Sequence, residues 1–132
     1  RLIVGDAYGM SAPVKTHSPM FYVDTVAKAD SQVPVPHPHM ETGVYIIDGK
    51  VEIAGQTFEQ HDFVMLDNGD DNITVLSNAR FVILGGEAFA EKPILEWNFV
   101  AYDKERLVQA RQDWRDGKFP SIPGDDLEFI PY

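Results

Sequence analysis

The sequence predicts an all-β domain, a sandwich or a small barrel, with a single α-helix near its C-terminal end. Short runs of β-branched and aromatic residues recur along the chain, and turn-forming residues separate them. These runs follow one another without helical segments between them, which is typical of β-sandwiches and barrels. A length of 132 residues suits one domain, and 44% hydrophobic with 24% charged residues indicates a folded chain.

The apolar runs give the positions of the strands. Asp48-Gly49 follows one of them and predicts a hairpin turn, because glycine adopts the left-handed backbone conformation without steric cost. The predicted strands are residues 2–4, 21–26, 43–47, 51–54, 63–66, 73–76 and 80–84. The side chains expected in the core are Tyr45, Ile47, Phe63, Met65, Val82, Leu84 and Trp97.

Residues 104–116 have a helical period instead. Leu107, Ala110 and Trp114 are spaced so that they share one helical face. Asp103 is a suitable N-cap, and Gly117 suits the C-terminal end. The sequence therefore predicts one helix over this segment.

The last residues, 119–132, are rich in proline and predict an extended tail. Its apolar residues Leu127, Phe129 and Ile130 are expected to dock against protein and not to stay in solvent. The predicted division of the chain is a β-barrel over residues 1–100 and a helix with tail over 101–132. This second part would pack on the same barrel or on a preceding domain.

Composition excludes several classes of function. The formal net charge of −10 and the pI of about 4.6 argue against direct binding to nucleic acid and against docking on anionic lipid. The chain has no cysteine, so disulfides and thiolate chemistry are excluded. No apolar run approaches the ~20 residues that span a membrane, and no signal-peptide pattern is visible, so we expect a cytoplasmic protein. Arg1 is not a methionine, and we expect this chain to be part of a longer protein.

The motif with most chemical potential is His37-Pro38-His39-Met40-Glu41. Two histidines and a carboxylate are a common ligand set for divalent iron, copper or zinc. On a strand, His37, His39 and Glu41 would point to one face, although the ends would lie ~13 Å apart. The alternative is a polar strand end whose histidines are satisfied by hydrogen bonds. Both interpretations remain open from the residues alone.

Several segments, taken in order, carry a resemblance to a known family. They are residues 2–5, 11–15, 44–49 followed by 51–53, 97–100, 104–106 with Ala110, Trp114, Gly117 and Phe119, and 123–131. This set resembles the C-terminal cupin of bacterial pirin-family proteins, which have two cupins. The resemblance implies a jelly-roll cupin with one C-terminal helix. It also implies that a preceding N-terminal cupin holds iron through three histidines and a glutamate.

The resemblance leads to three functional hypotheses. In the first, this chain is a non-catalytic half without a cofactor of its own, and the N-terminal cupin carries iron and a quercetin 2,3-dioxygenase-like activity on a small aromatic substrate. In the second, it is a dioxygenase half that binds a divalent metal at His37, His39 and Glu41. In the third, it is a protein-interaction module, as in the regulatory members. Asn72 stands where the resemblance would place a third histidine ligand, and an amide is a poor ligand for iron.

Overall fold

The computed structural model describes residues 1–67, 69–125, 128 and 130–132. The described residues form strands along most of the chain and one helix near its end, as the sequence predicts. The strands are β1 (Leu2–Ala7), β2 (Met10–Ser11), β3 (Met20–Ala27), β4 (Gln32–Pro34), β5 (Glu41–Asp48), β6 (Lys50–Ile53), β7 (Gln56–Glu59), β8 (Phe63–Met65), β9 (Asn72–Val75), β10 (Ala79–Gly86), β11 (Ile94–Glu96) and β12 (Phe99–Ala101). The helix is α1 (Lys104–Arg115).

Two antiparallel sheets form the first part of the chain. The six-stranded sheet has the order β2-β1-β3-β10-β5-β8, and the four-stranded sheet has the order β4-β9-β6-β7. Strand β10 lies at the centre of the larger sheet, between β3 and β5. The chain therefore pairs segments that are far apart in sequence.

The core of this part lies between the two sheets. Apolar side chains from both sheets form one buried cluster, and most of them are β-branched or aromatic, as strands favour. The largest fully buried side chains are Phe21, Phe81, Ile46, Ile73, Ile83, Val44, Val51 and Val75. Each buried branched or aromatic side chain contributes roughly 1.5–3 kcal/mol relative to an exposed position.

The predicted hairpin at Asp48-Gly49 is wrong. Strand β5 belongs to the six-stranded sheet and β6 to the four-stranded sheet, so the chain crosses between the sheets at this point. Gly49 has a φ of 84°, and a Cβ there would collide with the backbone and side chain of Ala79. The hairpin lies one strand later, where Ala54 and Gly55 both have positive φ between β6 and β7.

The predicted core is only partly right, because the alternation along β5 and β8 is shifted by one residue. Val82 is buried, and Ile47 and Leu84 are half-buried. Tyr45 and the more strongly exposed Phe63 and Met65 point away from the core. Val44 and Ile46 occupy the buried face of β5 in their place. A shift of one residue in a strand exchanges its two faces.

The helix prediction is confirmed within one residue at its end. Asp103 caps α1, since its carboxylate accepts a hydrogen bond from the Glu105 N–H at 2.8 Å. Leu107 is buried, and Trp114 is half-buried on the same side. In the hairpin of β11 and β12, Trp97 stands at the turn with a φ of 54° and is exposed, contrary to the expectation that it is a core residue.

The chain divides into two compact units, residues Arg1–Ala88 and Phe89–Tyr132. The first unit contains both large sheets, and the second contains β11, β12 and α1. The division into a barrel over residues 1–100 and a helix with tail over residues 101–132 remains a prediction. Within the described ranges, no helix has the length and apolarity to cross a membrane.

Candidate functional site

The histidine motif lies mostly in a loop between β4 and β5, and not on the strand that the one-face arrangement of residues 37–41 would need. The N–H of Met40 donates to the carbonyl of His37 at 2.9 Å and closes a turn. Pro36 and Pro38 have no N–H and cannot contribute to a sheet ladder, which explains why strand pairing stops here. Only Glu41 is in a strand, as the first residue of β5. The alternation that would place all three side chains on one face therefore does not apply.

His37 makes a hydrogen bond and a ring contact within the first unit. Its Nε2 lies 2.9 Å from the carbonyl oxygen of Asp6, so the protonated Nε2 donates to this acceptor. Its ring also packs against Phe21, with 5.5 Å between ring centroids. Of the two ring nitrogens, Nδ1 is the one that this hydrogen bond leaves as a possible metal ligand. The hydrogen-bonded alternative from the sequence fits the geometry of His37.

A second contact fixes the same loop. The hydroxyl of Tyr8, in the turn between β1 and β2, donates to the carbonyl of Pro34. Burial raises the pKa of the Tyr8 phenol, so this hydroxyl keeps its proton at neutral pH. Together, Tyr8 and His37 attach the loop to the end of β1.

His39 and Glu41 line a cavity of about 370 Å³ at this end of the first unit. Its walls combine these polar side chains with carboxylates of the loop after β8 and with apolar residues. The other lining residues are Val35, Pro38, Met40, Thr42, Met65, Leu66, Asp67, Asp70 and Ala88. In the turn after β8, the N–H of Asp67 donates to the Asp70 carboxylate at 2.9 Å. What the sequence missed is that this turn meets the histidine loop.

The described side chains do not form an iron site of the three-histidine type. Among residues 1–67, 69–125, 128 and 130–132, no three His, Cys, Asp or Glu side chains are grouped closely enough to hold a metal ion. The rings of His37 and His39 are 6.0 Å apart and edge-on. Asn72 lies at the start of β9, where it pairs with Pro34 of β4 in the four-stranded sheet. The metal site at His37, His39 and Glu41 thus stays a prediction without a described ligand cluster behind it.

The second unit contains a cluster of aromatic rings. Trp97 contacts Phe99, Trp114 and Tyr132 edge-to-face at centroid distances of 5.0–5.5 Å, and Phe99 stacks on Phe119. Trp97 combines these ring contacts with partial exposure, at 40%. This cluster holds the hairpin of β11 and β12 to the helix.

The described part of the tail docks on this cluster. The indole N–H of Trp114 donates to the carbonyl of Ile130 at 2.8 Å, and the Tyr132 hydroxyl donates to the Glu96 carboxylate. The guanidinium groups of Arg111 and Arg115 lie 5.6 and 5.2 Å from the centre of the Tyr132 ring. The side chain of Ile130, which was predicted to dock, is 66% exposed, so in this residue only the carbonyl is held. Leu127 and Phe129, for which the same was predicted, lie outside the described residues.

Comparison with known proteins decides the family. The sequence profile of the pirin C-terminal cupin domain matches residues 22–120. The chain belongs to the pirin family. Its fold is accordingly an all-β cupin with a C-terminal helix, which confirms the resemblance seen in the sequence.

Individual relatives of this pirin-family chain agree. It is 33% identical to a pirin-like protein of Caulobacter vibrioides over 99% of this chain and 46% of the relative. It is 31% identical to human pirin over 89% of this chain and 43% of the relative. A crystal structure described as quercetin 2,3-dioxygenase from Acinetobacter baumannii superposes with a TM-score of 0.84 at 30% identity, over 99% of this chain and 46% of the other. The chain spans about half the length of the curated relatives it matches.

Proposed function

We propose that this chain acts as the non-catalytic C-terminal cupin half of a two-cupin protein. In this proposal, the N-terminal cupin carries iron and an oxidative activity of the quercetin 2,3-dioxygenase type on a small aromatic substrate. The observation that carries the proposal is the hydrogen bond from His37 Nε2 to the Asp6 carbonyl. It gives Nε2 of the first histidine of the motif a structural partner and leaves only Nδ1 of that ring as a possible metal ligand.

The filling of the space between the sheets supports the same proposal. The buried cluster there is apolar, and Thr42 is the buried polar residue identified among the described residues. Its hydroxyl donates to the Met40 carbonyl at 3.1 Å. Small barrels can either fill their interior with side chains or enclose a ligand cavity. An interior filled in this way favours a role in folding and domain packing over one in catalysis.

The relatives support the two-cupin part of the proposal. The Acinetobacter protein described as a quercetin 2,3-dioxygenase contains about as much chain again as the part that this chain matches. The Caulobacter relative has the same proportion. The activity in the name of such a protein is given for its whole chain. Within that chain, we assign the activity to the half that this chain does not match.

The test uses the two-cupin protein that contains this chain, with His39→Ala and Glu41→Gln compared with the parent protein. Iron per polypeptide, measured by mass spectrometry of the metal, and oxygen uptake with quercetin should stay at the parent values. His17→Ala is the matched control, because His17 is an exposed histidine outside the cavity. Loss of iron or of oxygen uptake in His39→Ala, with His17→Ala unaffected, would contradict the proposal.

One observation favours the second hypothesis, a metal-bearing half. His39 and Glu41 line the same cavity, so two of the three predicted ligands share one space. Calorimetric titration of the chain with ferrous, nickel and zinc ions tests it. Submicromolar binding that disappears in His39→Ala would establish a metal site here.

A further inference from the structure

The outer face of the six-stranded sheet carries an apolar band that the core does not use. The register aligns Tyr22 of β3 with Leu84 of β10, Leu84 with Gly43 of β5, and Gly43 with Met65 of β8. Directly paired residues in an antiparallel sheet point to the same face. On the other side of β3, Val4 of β1 pairs with Tyr22. One apolar row therefore crosses five neighbouring strands.

A second row runs beside the first. Val82 of β10 pairs with Tyr45 of β5, and Tyr45 pairs with Phe63 of β8. We call the set formed by the two rows the outer sheet face; its members are Tyr22, Tyr45, Phe63, Met65, Val82 and Leu84. The residues that alternate with them, including Phe21, Val23, Ile83 and Val44, are buried between the two sheets. The outer sheet face therefore points away from the core.

Much of this face is exposed. The exposed fraction is 37% for Tyr22, 36% for Tyr45, 56% for Phe63 and 60% for Met65, whereas Val82 on the same face is only 6% exposed. Gly43 lies between these side chains, and a Cβ on it would meet the Phe63 ring at 2.6 Å and the Met65 sulfur at 3.4 Å. The absence of a side chain at Gly43 lets Phe63 and Met65 lie flat across β5. A contiguous exposed apolar patch of this kind often marks an interaction site, whereas apolar residues scattered singly over a surface do not.

We propose that the outer sheet face is the surface on which the other cupin half of the protein docks. This inference rests on the proposed two-cupin arrangement and adds the surface that joins the halves. The relatives contain about as much chain again as this one, so a partner of domain size exists in the same polypeptide. Its matching surface would be an apolar sheet face or an apolar segment without uncompensated charge, because a buried unpaired charge opposes association.

Charge argues against a second copy of this chain as the occupant. The net charge is −10, so two copies would repel each other during approach. At one margin of the band, Arg80 donates from Nε and Nη2 to both carboxylate oxygens of Asp24 at 2.9 and 3.1 Å. These two charges neutralise each other at the edge, which is where interfaces place their polar groups.

The experiment uses the absence of cysteine in this chain. Met65→Cys is introduced into the two-cupin protein that contains the chain, and the rate of maleimide labelling at that residue is measured by peptide mass spectrometry. Leu76→Cys is the matched control, because Leu76 is 43% exposed and lies outside the six-stranded sheet. Each rate is divided by the rate at the same residue in urea-unfolded protein.

From exposure in this chain alone, the Met65→Cys thiol would react at least as fast as the Leu76→Cys thiol. With the other half docked, it should react at least about tenfold more slowly, because the centre of an interface excludes solvent. Tyr22→Cys, on β3 of the same row, should be protected in the same way. This second variant shows whether the protection at residue 65 is only a local effect of that substitution. Equal labelling at residues 65 and 76 would overturn the inference.

The remaining outcomes are also decisive. Protection that disappears on dilution would assign the face to a second copy and would overturn the inference. Labelling does not depend on iron, so its failure leaves the His39→Ala test of the proposed function untouched. Conversely, His39→Ala could lower the iron content while the Met65→Cys thiol stays protected from labelling. This result would contradict the non-catalytic role and would still support the docking surface.

Discussion

The two compact units are stabilised by different kinds of contact. The first unit encloses aliphatic and aromatic side chains between two sheets, and eight large ones are fully buried. In the second unit, Ala101 and Leu107 are the buried residues among those described, and partly exposed aromatic rings join the hairpin to the helix. Burial is the larger contribution to stability. The comparison indicates that the second unit opens more easily than the first and depends more on its charged and aromatic surface contacts.

The strongest test of this comparison is a truncation in the first unit. Phe81 is fully buried at the centre of the six-stranded sheet. Phe81→Ala should lower the free energy of unfolding by about 3–5 kcal/mol, because it removes a buried ring and leaves a cavity. Urea denaturation followed by far-ultraviolet circular dichroism measures this change. Val26→Ala on the same sheet is the control, since Val26 is 79% exposed and should change the value by only about 0.5 kcal/mol.

If Phe81→Ala cost no more than Val26→Ala, the core between the sheets would not be the main source of stability. The comparison of the two units would then fail at its first premise.

A smaller effect is expected from the end of the tail. Tyr132→Ala removes the ring contact with Trp97 and the cation–π contacts with Arg111 and Arg115. The loss should be about 1–2 kcal/mol, from one aromatic pair and one or two cation–π contacts at partly exposed positions. Hydrogen exchange should speed up in α1 and stay unchanged in β3 and β10. Tyr132→Phe keeps the ring and should retain most of the protection of the helix.

Equal acceleration of exchange in α1 and β10 would mean that the two units unfold together. In that case, the difference in contacts would not translate into separate stability.

The smallest effects are expected at the ion pairs, where pH sharpens the comparison. Hydrogen bonds from Lys118 lower the pKa of Asp113 and of Asp116, and a hydrogen bond from Arg80 lowers the pKa of Asp24. A lowered folded-state pKa stabilises the fold above the unfolded value of ~3.9, and this contribution is lost as the pH falls through the folded-state value. Lys118→Met should therefore lower the thermal midpoint slightly at pH 7, and the difference should shrink below ~3.9.

Arg80→Met provides the counterpart in the first unit. All of these side chains are at least partly exposed, so both effects should be small and should weaken with added salt. Helix exchange should respond to Lys118→Met and not to Arg80→Met. A midpoint difference that grows towards acid pH would have the wrong sign and would exclude this account.

Local signals in the sequence predicted the fold well where the residues of one element alone determine its structure. The cap at Asp103 and the spacing of Leu107 and Trp114 predicted α1, since capping and helical period act within a few residues. The strand runs were found for the same reason. The crossing at Gly49 was not, because a positive φ serves both a hairpin and a change of sheet, and only distant pairing distinguishes them.

The faces of the strands could not be predicted where both faces are apolar. In β5, Val44 and Tyr45 are both apolar in character, so alternation alone does not show which one is buried. The candidate site failed at a similar point. Pro36 and Pro38 interrupt the ladder around His37, and the position of its partner, the Asp6 carbonyl, depends on how β1 folds back.

The central position of β10 has a consequence for the order in which the chain can fold during synthesis. Residues 79–86 join β3, which ends at residue 27, to β5, which ends at residue 48. Until they emerge from the ribosome, β3 and β5 each have an unpaired edge and expose the apolar side chains that later form the core. Pairing over such sequence separations is intrinsically slow. The nascent chain therefore passes through a period, ending only when residue 86 is free, in which chaperone binding or aggregation competes with closure of the sheet.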